Sequence, residues 1–171
     1  MHTPRGVPTL TSERRLLSCP PPTKSKLNGV SCVSTSAFDM PSRYLPAWQH
    51  PFASDEQAAD AIERTLKETY GADAATRVVD DMQGARKHAA FQVQMANDDG
   101  ETMQFLFLGE GRVAVRSESW IRGILDPPGC AKRGCINGPR SRSRMQTLLS
   151  DLGWLAGETD EDKLWVPLLL H

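Results

Sequence analysis

Long apolar runs are missing from this 171-residue chain, and aromatic residues are few. Hydrophobic residues make up 39% and aromatic residues 6% of the sequence. No segment approaches the roughly 18 consecutive apolar residues that a membrane-spanning helix requires, so we expect no membrane partner. The apolar residues are concentrated after residue 53, which indicates that only part of the chain builds a core.

A strong net charge is also absent, because the formal charge is −1 at pH 7. This balance gives no argument for a nucleic acid or a membrane as an obligatory partner. Acidic and basic residues are nevertheless distributed unevenly along the chain. Bases exceed acids six to two over residues 1–53, whereas acids exceed bases thirteen to eight over residues 54–125.

The apolar core of a secretion signal is missing from the N-terminal region, although Arg14-Arg15 precedes a short leucine pair. We therefore expect the four cysteines to be reduced thiols of a soluble, intracellular protein. The abundance of Ser and Thr and the near absence of acids over residues 1–36 are also typical of an organellar transit peptide. Residues 1–51 are accordingly predicted to be a disordered leader or a transit peptide, in a cytoplasmic or organellar protein.

Ordered structure is expected to begin near Phe52 with an amphipathic helix. Ser54 followed by Gln57 predicts an N-terminal cap, and apolar residues at helical spacing continue to Tyr70. Gly71 ends this pattern. A weaker helical run over residues 74–82 predicts a second helix.

Residues 89–118 predict a three-stranded antiparallel meander, because short apolar or alternating segments are separated by two turn signals. The central strand alternates. It turns Phe105 and its neighbours two residues away to one side, and Leu106 and Leu108 to the other. Helices are expected to cover the first side. What covers the second side is left unassigned, which is the reason for proposing a partner.

The predicted fold class is α+β. Residues 52–125 are expected to form the core, an N-terminal helix or helix pair packed on the three-stranded antiparallel meander. Residues 126–143 form a basic loop that contains Gly and Pro, and residues 144–171 form a C-terminal helix with an apolar tail that packs on the core. Because that tail contains a proline, a strand there would lie at an edge of the sheet.

These patterns favour a non-enzymatic protein-interaction module that binds a protein partner or a second copy of the chain. The apolar side of the meander and the apolar tail supply the predicted surface. Its residues are Leu106, Leu108, Trp165 and Leu168.

Nucleic-acid binding is the alternative, through a basic stretch that has no acid between residues 127 and 150. Long cationic side chains can follow phosphates. No aromatic residue interleaves with them as a base-stacking platform would require, so this alternative ranks second. The candidate residues are Lys132, Arg133, Arg140, Arg142 and Arg144.

The predicted order of helix, meander and helix loosely resembles double-stranded RNA-binding domains. The resemblance covers about 30 residues, from Gly84, His88 and Phe91 to the turn at residues 108–111. A lysine-rich cluster opens the second helix of that family, and here Glu118 and a long loop follow the last strand instead. The resemblance keeps RNA among the partners considered and assigns no family.

An enzyme is the third hypothesis. His88 beside Arg86 and Lys87 could act as a base near an anion site, and a deep polar pocket around it would favour this hypothesis. The sequence has no Gly-rich phosphate loop, nucleophile elbow or HExxH pattern. Cys130 and Cys135 have the spacing of half a zinc site without a second half, so we assign no catalytic residue, metal or cofactor.

Overall fold

A broad sheet with two helices on one face forms the part of the chain that the computed structural model describes, residues 9–20, 31–95, 100–119 and 140–157. The strands lie in the order β3-β4-β5-β6-β2-β7, and β1 pairs with the other half of β6. The α+β class is as predicted, but the described sheet has seven strands and not three. The elements are β1 (Cys32–Ser34), β2 (Trp48–Gln49), α1 (Asp55–Tyr70), β3 (Ala75–Asp81), β4 (Lys87–Gln94), β5 (Gly100–Gly109), β6 (Arg112–Ser119), α2 (Arg140–Leu152) and β7 (Leu155–Ala156).

The meander formed by β4, β5 and β6 is the centre of the sheet. Its antiparallel register places Phe91 opposite Met103, and Phe105 opposite Val115. All four side chains are fully buried in one hydrophobic cluster with Ile62 of α1. The alternation along β5 therefore turns its aromatic residues to the helix-covered side, which we call the inner face.

Helix α1 begins and ends where the sequence predicts. The Oγ of Ser54 accepts a hydrogen bond from the backbone N–H of Gln57 at 3.2 Å, which satisfies one of the free donors of the first turn. At the other end, the N–H of Gly71 donates to the carbonyl of Lys67 at 2.9 Å. Between these caps, the side that carries Ile62 and Leu66 is buried against the sheet.

The second predicted helix, residues 74–82, is wrong. Ala75–Asp81 forms strand β3, which pairs antiparallel with β4 and bulges between Arg77 and Val79. The stretch contains Thr and two adjacent valines, whose branched side chains fit a pleated surface better than a helix. The edge of β4 offers this short segment a row of backbone partners, and that tertiary contact outweighs a weak helical pattern.

The described sheet also contains two strands from the stretch that the sequence places before the core. Val33 of β1 and Trp48 of β2 belong to the main hydrophobic cluster. Order therefore starts before Phe52 in the described chain. Strands of three and two residues are too short to show a period of two, so the sequence pattern does not reveal them. The assignment of residues 1–8 and 21–30 to a leader lies outside the described residues.

The C-terminal helix α2 begins at Arg140 and not at residue 144, so the last residues of the predicted basic loop are helical. Its buried residues Met145 and Leu148 join the main cluster. Gly153, with φ +67°, ends the helix. Leu155–Ala156 then forms β7 at one edge of the sheet, whereas the edge strand predicted in the apolar tail lies outside the described residues.

Candidate interaction surface

The outer face of the sheet, away from the helices, carries one mainly apolar row and one polar row. The register places His88, Leu106 and Ala114 side by side across β4, β5 and β6. Two residues further along, Gln104 and Arg116 lie opposite each other on the same face. Both rows are therefore positioned by the pleat of the meander alone.

The apolar row is covered by N-terminal residues of the same chain. Leu106 is 1% and Ala114 7% exposed, and both belong to a small cluster with Leu16, which is 2% exposed. Leu10 and Leu108 pack against this cluster and are partly buried. The cover that the sequence left unassigned is thus supplied by residues that the sequence treated as a leader.

We call residues 9–20 the strap. Leu10 and Leu16 form an antiparallel bridge, and the N–H of Arg14 donates to the carbonyl of Thr11 at 2.9 Å, so the segment between them makes a tight turn. Arg14 has φ +54°, in the left-handed region. A residue with a Cβ pays about 1–2 kcal/mol for that conformation, so the surrounding contacts must hold the turn in place.

Polar anchors hold the turn at its tip. Nη2 of Arg14 donates to the Asp81 carboxylate and to the backbone carbonyl of Arg86, both at 2.8 Å. Arg86 in turn donates from Nη1 to the carbonyl of Glu13 at 3.3 Å. The hydrogen bond from Arg14 lowers the pKa of the Asp81 carboxyl. The side chains of Arg14 and Asp81 remain 48% and 47% exposed, so water and salt screen their attraction.

The other end of the strap is attached covalently. Cys19 and Cys32 form a disulfide with their Cα atoms 5.7 Å apart, and they are buried in a small cluster with Ala37. Oγ of Ser34 also donates to the carbonyl of Leu17 at 2.9 Å. The expectation of reduced thiols is wrong for this pair. Sequence alone could not pair the two cysteines, because their approach depends on the place of β1 in the sheet.

Three polar side chains on the outer face are buried, and each has one polar atom without a hydrogen-bond partner among the described residues. His88, Gln104 and Arg116 are 3%, 2% and 7% exposed. Nε2 of His88, Oε1 of Gln104 and Nε of Arg116 have no hydrogen-bond partner among the described residues. The other end of the Arg116 guanidinium donates from Nη2 to the Glu118 carboxylate. Because a buried polar atom without a partner is costly, these atoms mark a face with unused binding capacity.

Burial lowers the pKa of the His88 imidazole, since the charged form loses hydration. The neighbouring Gln104 amide and Asp81 carboxylate act in the opposite direction, and Arg14 of the strap adds to the lowering. His88 is therefore neutral at pH 7. His88 is 3% exposed beside Leu106, which the strap covers, so the described geometry with the strap seated gives no support to the hypothesis of a catalytic base.

Three of the predicted phosphate-binding arginines lie in α2. Arg144 donates from Nη1 to Oε2 of Glu101 at 2.6 Å, and the Glu101 side chain is 0% exposed. Burial lowers the pKa of the Arg142 guanidinium. Arg140 is the first residue of the helix and is partly buried. Nη2 of Arg142 donates at 2.7 to 3.2 Å to the backbone carbonyls of Pro41, Ser42 and Tyr44.

Other residues with predicted roles lie outside the described residues. Two belong to the basic stretch, two to the apolar surface and two to the incomplete zinc pattern. Their roles stay predictions. They are Lys132, Arg133, Trp165, Leu168, Cys130 and Cys135.

A buried polar cluster that the sequence analysis missed joins α2 to the sheet. Glu101 accepts from Oγ of Ser117 at 2.5 Å in addition to its bond from Arg144. Ser31 Oγ accepts from the N–H of Ser141 at 3.0 Å and so caps the start of α2. The only sequence signal was an acid at an inward-facing position of β5. The bonds of Arg144 and Ser141 secure α2 on the sheet, and the bond of Ser117 joins β6 to β5, so the cluster has a structural role.

His50 and Asp55 form a second buried pair, with Nε2 of His50 3.2 Å from Oδ1 of Asp55. Nδ1 of the ring accepts from the N–H of Phe52 at 3.2 Å, so both ring nitrogens are engaged. The His50 ring packs against Trp154 at 5.5 Å between centroids. This arrangement ties the start of α1 to the core.

A cavity of about 470 Å³ lies along the exposed side of α1. Its lining residues do not belong to the strap. Its charges compensate one another locally. Nζ of Lys67 lies 2.7 Å from Glu63, and Arg77 lies 2.9 Å from Asp60. The arrangement offers a mixed-charge surface without a reactive group. The lining residues are Asp60, Glu63, Arg64, Lys67, Glu68 and Ala72.

Neither a metal site nor a relative assigns a function to this surface. Within the described ranges, no three His, Cys, Asp or Glu side chains converge as a metal ion would need. The helices of the same ranges are too short or too polar to cross a membrane. Comparison with protein-family models, curated proteins and solved structures finds no match.

Proposed function

We propose that this protein is a non-enzymatic protein-interaction module that binds a short segment of a partner protein on the outer face of its sheet. The observation that carries the proposal is the strap, a turn of the chain itself that lies on Leu106 and covers it with Leu16. The strap shows which chemistry the face accepts. A partner segment would present an apolar side chain to Leu106 and a basic one to Asp81, as Leu16 and Arg14 do.

The non-covalent hold of the strap is weak enough for a partner to compete. Burying Leu16 contributes about 1.5–3 kcal/mol. The left-handed backbone of Arg14 costs about 1–2 kcal/mol of that gain. The ion pair of Arg14 with Asp81 is solvent-exposed and adds little. A partner segment that makes the same contacts without a strained turn would therefore displace the strap.

The polar row adds capacity that the strap does not use. Both atoms are buried in the described fold, so they become available only when the outer face opens. A backbone amide of a partner could then accept from Nε of Arg116 through its carbonyl and donate to Oε1 of Gln104 through its N–H. Arg116 is neutralised by Glu118, and His88 is neutral, so the row suits an uncharged polar group. This supports a peptide ligand over a phosphate.

The test uses the full-length protein and a synthetic peptide of residues 9–18 as the probe. The Leu16→Asp substitution places a charge in the apolar row and should release the strap, so the peptide should then bind in trans. Titration of the isotope-labelled protein should shift the amide resonances of Leu106 and Ala114 saturably. Leu17→Asp is the matched control, because Leu17 is 40% exposed and its substitution should leave the strap seated.

A folded Leu16→Asp protein that shows no saturable shift at Leu106 would refute the proposal. The nucleic-acid alternative is tested on the same proteins with RNA and DNA oligonucleotides. Micromolar binding at physiological salt that is lost on changing Arg140, Arg142 and Arg144 to Gln would establish the alternative instead. Sedimentation of the released variant without peptide would show whether a second copy is the partner.

A further inference from the structure

We infer that the Cys19–Cys32 disulfide is a redox latch for the strap, and that its reduction by a dithiol frees the outer face. The inference rests on the proposed function, since it concerns access to the same face. Its physical basis is the place of the disulfide at the root of the strap.

The disulfide shortens the tether between Leu16 and the sheet. Leu16 lies three residues before Cys19, and the Cα atoms of Cys19 and Cys32 are 5.7 Å apart, so the bond keeps Leu16 within about 16 Å of Cys32 in β1. Without the bond, the covalent path from Leu16 to the next described residue on the sheet side, Ser31, has fifteen residues and a maximum reach of about 50 Å. The carbonyl of Ser31 accepts from the N–H of Ser119 at 2.9 Å.

This change in tether length sets the size of the effect. The local concentration of a tethered group falls roughly as the −3/2 power of tether length. A reach about three times longer therefore lowers the local concentration of Leu16 at the outer face about fivefold. The fraction of molecules with an open face should rise by about the same factor, which makes partner binding about fivefold tighter.

The disulfide can open without dismantling the core. Cys19 and Cys32 belong to a small cluster that is separate from the main hydrophobic cluster. The backbone of Cys32 also stays paired with Glu118 of β6, whatever the state of its sulfur. Reduction therefore loosens the strap and leaves β1 in the sheet.

The chemistry is thiol–disulfide exchange. One thiolate of the dithiol attacks the Cys19 sulfur, which is the more exposed of the pair at 5% against 0%, and Cys32 leaves as a thiolate. The second thiol of the reductant then displaces Cys19 and closes its own disulfide. Two electrons and two protons reach the protein, as the thiols of Cys19 and Cys32.

The test titrates the full-length protein with the residue 9–18 peptide before and after reduction with dithiothreitol. Reduction should tighten binding about fivefold. The double substitution Cys19→Ser with Cys32→Ser should bind like the reduced protein and show no response to dithiothreitol, which excludes an effect of other cysteines. Leu106→Asp should abolish binding in both states.

Limited trypsin digestion gives a second readout that needs no ligand. Reduction should raise the rate of cleavage after Arg14 and Arg15 in the strap about fivefold, and leave cleavage after Arg64 in α1 unchanged. Unchanged cleavage rates together with unchanged peptide binding would overturn the inference. An equal rise in cleavage at Arg64 would also overturn it, because the disulfide would then stabilise the whole fold and not the strap alone. If Leu16→Asp still binds peptide, the proposed function survives that failure; if it does not, both fall.

Discussion

Replacing Arg144 by Gln should destabilise the protein strongly, although the sequence predicts this residue only as a candidate for binding phosphates. Arg144 lies 2.6 Å from the carboxylate of Glu101, and the two side chains are 17% and 0% exposed. Gln keeps much of the length of the side chain and removes its charge. The Glu101 carboxylate would then be buried with Ser117 as its remaining partner.

The expected loss is about 3–5 kcal/mol, because removal of one partner leaves a buried charge without compensation. With a dependence of about 2 kcal/mol per molar urea, the unfolding midpoint should fall by about 2 M. Arg15→Gln is the matched control. The Arg15 side chain is 67% exposed, so its loss should change stability by less than about 0.5 kcal/mol.

The double substitution Glu101→Leu with Arg144→Met tests whether the loss of stability comes from the unpaired charge of Glu101 or from another role of Arg144. Removing both charges should recover most of the loss, since the remaining side chains are apolar and of similar size. Urea unfolding followed by circular dichroism measures all four proteins. If Arg144→Gln costs no more than Arg15→Gln, the ion pair is not a buried structural contact and the argument is wrong.

Three further outcomes are expected from urea unfolding. Phe105→Ala should cost about 3–5 kcal/mol and Gln94→Ala almost nothing, because one side chain is fully buried and the other exposed; equal losses would mean that the faces of the sheet are misassigned. Gly111→Ala should cost about 1–3 kcal/mol and more than Gly84→Ala, because both have positive φ but only the first Cβ would meet a backbone carbonyl, at 2.9 Å; the reverse order would contradict this. Because the pKa of His88 is lowered in the folded protein, the unfolded chain takes up this proton first as pH falls below 6.5, so the free energy of unfolding should fall from pH 7 to 5. It should fall less in His88→Gln, and equal slopes in the two proteins would show that burial does not lower the pKa of His88.

The sequence by itself determined the strong local patterns. Ser54 and Gly71 bound α1 because capping chemistry and helical spacing act over a few residues. The meander was predictable for a similar reason, since eight- to ten-residue strands with glycine-containing turns repeat the period of two often enough to be read. The fully buried Phe105 follows from that alternation.

Only the tertiary structure decided what those elements meet. Residues 75–81 became a strand because the edge of β4 was available, and Trp48 joined the core through a strand of two residues that has no pattern to detect. The surface that looked unpartnered is covered by a strap that pairs Cys19 with Cys32 and lays Leu16 on Leu106. Contacts between residues 90 positions apart produce no local periodicity in the sequence, so they cannot be predicted from it and form only when the chain folds.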